Sequence, residues 1–286
     1  MIVFRDIARI IVLCIGAFFS VQTSVYSQNT VLIIPSVGAS NSTLLSDYYT
    51  GRQTGLSVLL RNADARQPLV QGYLRITIEG QGVKLQTGSY AIFPSIDLME
   101  GSTVNIPPSE LAVYFKPQSL QGSIGFGVNQ PNVFPEGFYQ FCFEFLEKNT
   151  NRLIGSMQCV QANLSYSDPV DLNLPEDKQA IFFSDTNKIK FQWKANHTNL
   201  LNSEYSFSLV EFELSDKVSE TSFAKAKPVY TTKLKEEKLI YGVEQPLLEK
   251  GKKYAWRVQT IALNDTGEKE PFKNDGYSEI HWFQVK

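Results

Sequence analysis

The stretch Phe134–Ser165, FPEGFYQFCFEFLEKNTNRLIGSMQCVQANLS, restricts the fold more than any other part of this chain. Two runs rich in aromatic and β-branched residues flank the polar break Lys148-Asn149-Thr150-Asn151, which is the pattern of a β-hairpin. Folding about the bond between Thr150 and Asn151 sets Cys142 directly opposite Cys159. Cross-strand Cα atoms lie about 4.5–5.5 Å apart, inside the span of about 4.4–6.8 Å that a disulfide bridges. Tyr139, Phe141, Phe143 and Phe145 then share one face, and Gln140, Cys142 and Glu144 share the other. The aromatic row is the expected core face, with the cysteines joined across the more polar one.

The first residues read as an export signal. Arg5 and Arg9 precede the apolar run Ile10–Phe19, and Val25-Tyr26-Ser27 offers a cleavage site before Gln28. Ten apolar residues are too few to span a bilayer, which takes about 20. Cys14 could mark a lipoprotein, but Leu13 stands where such a signal needs a small residue. Removal of the leader leaves Cys142 and Cys159, an even number in an oxidising compartment. Two buried free thiols are the alternative to the disulfide.

The rest of the chain alternates at the period of strands. Asn29–Pro35, Leu56–Asn62 and Gln71–Gly80 are expected strands; in the last, Leu74, Ile76 and Ile78 alternate with Tyr73, Arg75, Thr77 and Glu79. Val83–Gln86, Ser102–Ile106 and Leu111–Phe115 are shorter candidates, and Val37–Gly55 is an expected loop carrying Tyr48 and Tyr49. In the second half, Lys188–Lys194 aligns Ile189, Phe191 and Trp193, Tyr205–Leu214 follows, and Tyr277–Val285 closes the chain. Ser219–Lys227 reads as a short helix or an ordered loop, with the helix favoured. The run Leu247, Gly251, Tyr254, Trp256, Val258 resembles the tyrosine-corner region of fibronectin type III domains, where a Tyr hydroxyl bonds back to the preceding loop. The expected fold is all-β: a signal peptide (1–27), a β-sandwich (28–166), a linker (167–177) and a fibronectin III-like β-sandwich (178–286).

Charge and motifs exclude more than they assign. A net charge of −2 gives no general attraction to nucleic acid or anionic lipid. Residues 28–168 carry 8 basic and 10 acidic side chains against 17 and 18 in 169–286, so the first half is about half as charged and is the better candidate for burial against a partner. A larger core with a neutral polar surface would give the same composition. Only His197 and His281 exist, and no HExxH, GxSxG or CxxC is present. Gly122-Ser-Ile-Gly125-Phe-Gly127 lacks the Lys-Ser/Thr of a phosphate loop, and Lys233–Lys238 reads as a charged edge. Asp275 and Glu279 could pair as glycosidase carboxylates, and Trp193, Trp256 and Trp282 could stack on sugar, although core packing explains those rings as well. No catalytic residue, metal ligand or cofactor is expected, and no further segment is long enough to span a membrane.

The hairpin also resembles a family. Phe134 to Cys142, then Asn151-Arg152-Leu153-Ile154-Gly155-Ser156, then Cys159, is similar to the "LPEG-x-Y-x-F-C … TGR-x-LS … C" segment of TANFOR-type proteins of Bacteroidota. Ile189, Phe191, Trp193 and His197 match that family's "I-x-F-x-W" strand with its nearby His. Phe134 replaces the motif's Leu and Asn151 its Gly, and Asn tolerates the same turn conformation. The resemblance implies an exported, non-enzymatic envelope protein, periplasmic or peripheral to the outer membrane, that contacts protein partners, with a type IX secretion or gliding complex as one setting. Because the chain ends at its last expected strand, no added C-terminal sorting domain is expected, which favours the periplasm or the outer-membrane periphery over secretion as cargo. A carbohydrate-binding module using Tyr48, Tyr49 or a tryptophan is the rival expectation.

Overall fold

A computed structural model describes residues 31–39, 41–52, 54–89, 91–123, 132–196, 202–264 and 266–286. The expected leader, His197 and most of the Gly122–Gly127 run lie outside the described residues.

The chain is all-β with short helices, arranged as two sandwiches. In the first, β1 (Val31–Ser36), β2 (Ser57–Asn62) and β6 (Thr103–Ile106) form a three-stranded antiparallel sheet. It faces a larger sheet in the order β7 (Leu120–Ser123), β4 (Val83–Thr87), β3 (Leu69–Gly80), β8 (Gly137–Glu147), β9 (Leu153–Leu164), with β5 (Ile96–Met99) also paired to β3. The period-two pattern decides which side chains meet between the sheets. Leu74, Ile76 and Ile78 of β3 and Tyr139, Phe141, Phe143 and Phe145 of β8 point inward against Val31, Ile33, Val58 and Leu60.

Helices close this sandwich where the sequence promised strand or loop. The run 111–115, expected as a strand, belongs to α2 (Pro108–Phe115), following α1 (Leu45–Tyr49). Pro108 occupies the first turn, where its missing N–H costs nothing. Leu111, Tyr114 and Phe115 then fall at i, i+3 and i+4 and are all buried, so the run packs by helical period.

The hairpin register runs as expected from Gly137↔Leu164 through Cys142↔Cys159 to Phe143↔Gln158, then shifts at a bulge to Phe145↔Ile154. Gly155 sits in that bulge with φ +85°, and a Cβ there would lie 2.4 Å from the Val31 carbonyl oxygen. The bulge thus lets β1 pass against β9.

The second sandwich sets β10 (Asp171–Leu174), β12 (Ile189–Lys194) and β15 (Lys238–Tyr241) against β11 (Gln179–Ile181), β17 (His281–Val285), β16 (Lys253–Leu263), β13 (Asn202–Phe212) and β14 (Pro228–Leu234). The segment 167–177, expected as a linker, thus contains β10, paired through Leu172↔Trp193 because Leu172 meets the same core. Phe191, Phe207, Trp256 and Phe283 meet at its centre, with Phe191 edge-on to Phe207 and Trp256 at 4.8 and 5.0 Å between centroids. On the outer face of β13 and β16, α3 (Glu220–Lys225) covers Val210, Phe212 and Ala255 with Phe223. Ser219 caps α3 through a reciprocal pair of hydrogen bonds with Ser222.

Candidate functional site

Apart from His197, the leader and most of the Gly122–Gly127 run, the residues singled out in the sequence lie among the described residues. Cys142 and Cys159 are disulfide-bonded, with Cα atoms 4.0 Å apart, nearer than the spacing expected. Their face is the outer one: Cys159 is exposed, and beside Cys142 the Arg75 guanidinium bonds Glu144 at 2.6 Å.

At the corner of the second sandwich, the Tyr254 hydroxyl accepts the Glu249 N–H at 2.8 Å and donates to the Glu211 carboxylate at 2.9 Å. Burial raises the Tyr254 hydroxyl far above its ordinary pKa, so it remains a donor. Gly251 turns the chain at φ +81°, a conformation open to glycine at little cost. The apolar anchor of this turn is Leu248, which is buried, whereas Leu247 is exposed. Trp256 lies wholly inside.

Tyr48 is not a surface contact. It is only 3% exposed, stacks on Phe141 at 5.6 Å, and donates to the Ser42 carbonyl, because α1 turns its ring into the first core. Tyr49 is half-buried. Trp193 and Trp256 are buried, and only Trp282 reaches the surface, under the Lys253 ammonium at 4.7 Å. No row of solvent-facing rings forms from these three. His281 packs edge-on to Trp256 at 6.0 Å. Asp275 and Glu279 are exposed on an open segment rather than facing across a cleft. Lys233 pairs with Glu204 on the edge strand β14 at 2.7 Å. Among the described residues no group of three or more His, Cys, Asp or Glu side chains could hold a metal ion, and no helix is long and apolar enough to cross a membrane. A groove of about 320 Å³ beside α2 offers a single carboxylate, Glu110, with Tyr114, Val113 and Ile106.

Two features were not singled out in the sequence. The first is an apolar seam where β1 passes β9: Leu32 and Ile34 stand outward on β1, and Leu153 and Met157 outward on β9. Its signal was present, since VLIIPS has no polar face and so lacks the alternation of a half-buried strand. The second is the joint between the sandwiches. The hairpin after β16 reaches back to α1, where Asn264 Nδ2 donates to Ser46 Oγ at 3.0 Å and both residues are buried. The Ser167 N–H donates to the Pro271 carbonyl and the Lys273 N–H to the Ser167 carbonyl, while Lys273 Nζ lies 2.8 Å from Asp168. Ser167 Oγ donates to Glu270, whose carboxyl is pushed up to about 7 by burial and then by the charge of Asp47. Burial likewise raises Asp47. These contacts link positions 46 and 264, a separation no sequence period reports.

No family model matches the chain, and no curated protein matches it. Among solved structures it is similar to the fibronectin(III)-like modules of CbhA from Clostridium thermocellum, at 10% identity over 89% of this chain and 93% of that one, with a TM-score of 0.23. At that score the two chains do not superimpose as wholes, and the all-β sandwich assignment stands on the strand pairing above.

Proposed function

We propose that this chain is a non-enzymatic exported protein of the bacterial cell envelope that works by protein contact, with the first sandwich as its docking half. The observation that carries the reading is the seam of Leu32, Ile34, Leu153 and Met157: four large aliphatic side chains exposed along two adjoining strands of the less charged half. Exposed apolar side chains grouped in this way mark contact surfaces, whereas scattered ones do not. The partner in this reading is a protein of the envelope, and the hairpin's motif resemblance to TANFOR-type proteins of Bacteroidota supports an outer-membrane or type IX-linked assembly as its setting. The burial of Trp193 and Trp256 counts against the sugar-binding alternative, which needs exposed rings.

The test compares wild type with the double variant Ile34→Asp, Met157→Asp as tagged baits cross-linked in native envelope. Recovery of one envelope protein in fixed ratio by wild type, lost in a variant of unchanged melting temperature, supports the reading. Equal recovery by both baits, or none by either, overturns it.

A further inference from the structure

We propose that the open edge of β9 pairs with the same edge of a second copy of this chain, the two strands antiparallel about a two-fold axis at Gln161. β9 is the last strand of the larger sheet in the first sandwich and is bonded to β8 on one side only. Every second residue therefore turns its N–H and C=O away from β8, as a template for a further strand. Gln158, Cys159 and Gln161 are exposed and Val160 is half-buried, so the middle of this edge stands open to solvent.

Sheet edges are ordinarily blocked by charge, by proline or by brevity. The other edges among the described residues follow that rule. β14 opens with Pro228 and carries Lys233, β15 starts at Lys238, β10 starts at Asp171, and β1 holds Pro35. β5, β6, β7 and β11 are four residues long or shorter. β9 has twelve residues, none of them charged and none of them proline. Its one guard is the bulge at 155–157, and from Gln158 to Leu164 the register with β8 is unbroken.

The occupant is a second copy because this strand is complementary to itself. In a two-fold pair a charged residue at the axis would face its own like charge, and β9 brings no charge to any position. The side-chain period of two allows the axis only at a residue, since an axis between residues would set an inward side chain against an outward one. Gln161 is the centre of the unbroken stretch. It then faces its own counterpart, amide to amide, and Cys159 faces Asn163 on the same outer side. On the inner side Val160 faces Ala162 and Gln158 faces Leu164. The stretch 158–164 stops short of the bulge, so Leu153 and Met157 remain open to a different partner. A single strand pair is a small interface beside the roughly 1,600 Å² of a standard one, so the dimer should form and dissociate with concentration.

The test is light scattering, with hydrogen exchange, on the oxidised protein from micromolar to millimolar concentration. Wild type should pass from one chain to two as concentration rises, with exchange slowing across 158–164. Gln161→Lys and Gln161→Glu alter an exposed side chain on the outer face, so each should keep the wild-type melting temperature and stay monomeric. Mixed in equal amounts, the two variants should recover a dimer at least as tight as that of wild type. Wild type that stays a single chain throughout, with exchange at 158–164 independent of concentration, would overturn the proposal and leave the edge to a strand of another protein. A dimer that survives in both single variants, or a mixture that stays monomeric, would overturn it as well.

Discussion

Replacing Tyr254 by Phe removes one oxygen atom and leaves the ring in place, so it isolates the corner's hydrogen bonds from its packing. The Glu249 N–H loses its acceptor and the Glu211 carboxylate loses a donor. A buried donor left unsatisfied costs about 1–3 kcal/mol, and a bond to a charged group about 1.5–3 kcal/mol. Glu211 keeps Lys252 at 3.6 Å and is partly open to water, which replaces much of the second loss. Glu249 is an exposed residue and its bond is part-buried, so water offsets part of that loss too, and the expected destabilisation is about 1 kcal/mol. With a urea slope of about 2 kcal/mol per molar, the unfolding midpoint of the second sandwich should fall by about 0.5 M with the slope unchanged. Tryptophan fluorescence reports this half, since Trp193, Trp256 and Trp282 all lie in it. A midpoint within about 0.2 M of wild type would mean that the hydroxyl is exchanged freely with water, and the reasoning from its two partners would fail.

Two further outcomes concern the first sandwich. Cys142→Ser in the oxidised protein should lower stability by about 3 kcal/mol, the chain-entropy value for a loop of this size. Equal thiol counts before and after reduction of the wild type would refute the disulfide itself. Gly155→Val puts a branched side chain 2.4 Å from a backbone oxygen in a left-handed turn, so β1 should detach from β9. Its reading is faster hydrogen exchange across 31–36, and unchanged protection there would refute the close approach.

What the sequence made legible follows period and pairing. The β8–β9 hairpin, the inward aromatic row and the Cys142–Cys159 contact all come from alternation and a turn, which are local rules. The register beyond Phe143 does not, because a bulge sets Gly155, Ser156 and Met157 against Glu144 alone, two extra residues that alternation cannot announce. The run 111–115 misleads since five apolar residues suit either period; the preceding prolines were the better signal. β10 was hidden by brevity: Asp171–Leu174 offers two apolar residues, and only the partner β12 makes it a strand. Tyr48 looked available because its neighbours are polar, yet a single turn of α1 is enough to bury it. The joint was the least legible part, since its groups lie more than 200 residues apart and carry no motif.

The short parallel pair β11–β17 has a mechanical meaning. Gln179, Ala180 and Ile181 lie beside Phe283, Gln284 and Val285, flanked by Lys178 N–H to the Trp282 carbonyl and Lys286 N–H to the Ile181 carbonyl. Tension entering this half ahead of β11 and leaving after β17 pulls the two strands along their length in opposite senses. The bonds of the clamp are then loaded together in shear instead of parting one after another, as they would between the antiparallel strands of a hairpin pulled at its open end. A sandwich fastened in this way transmits force between whatever holds its two ends before it yields.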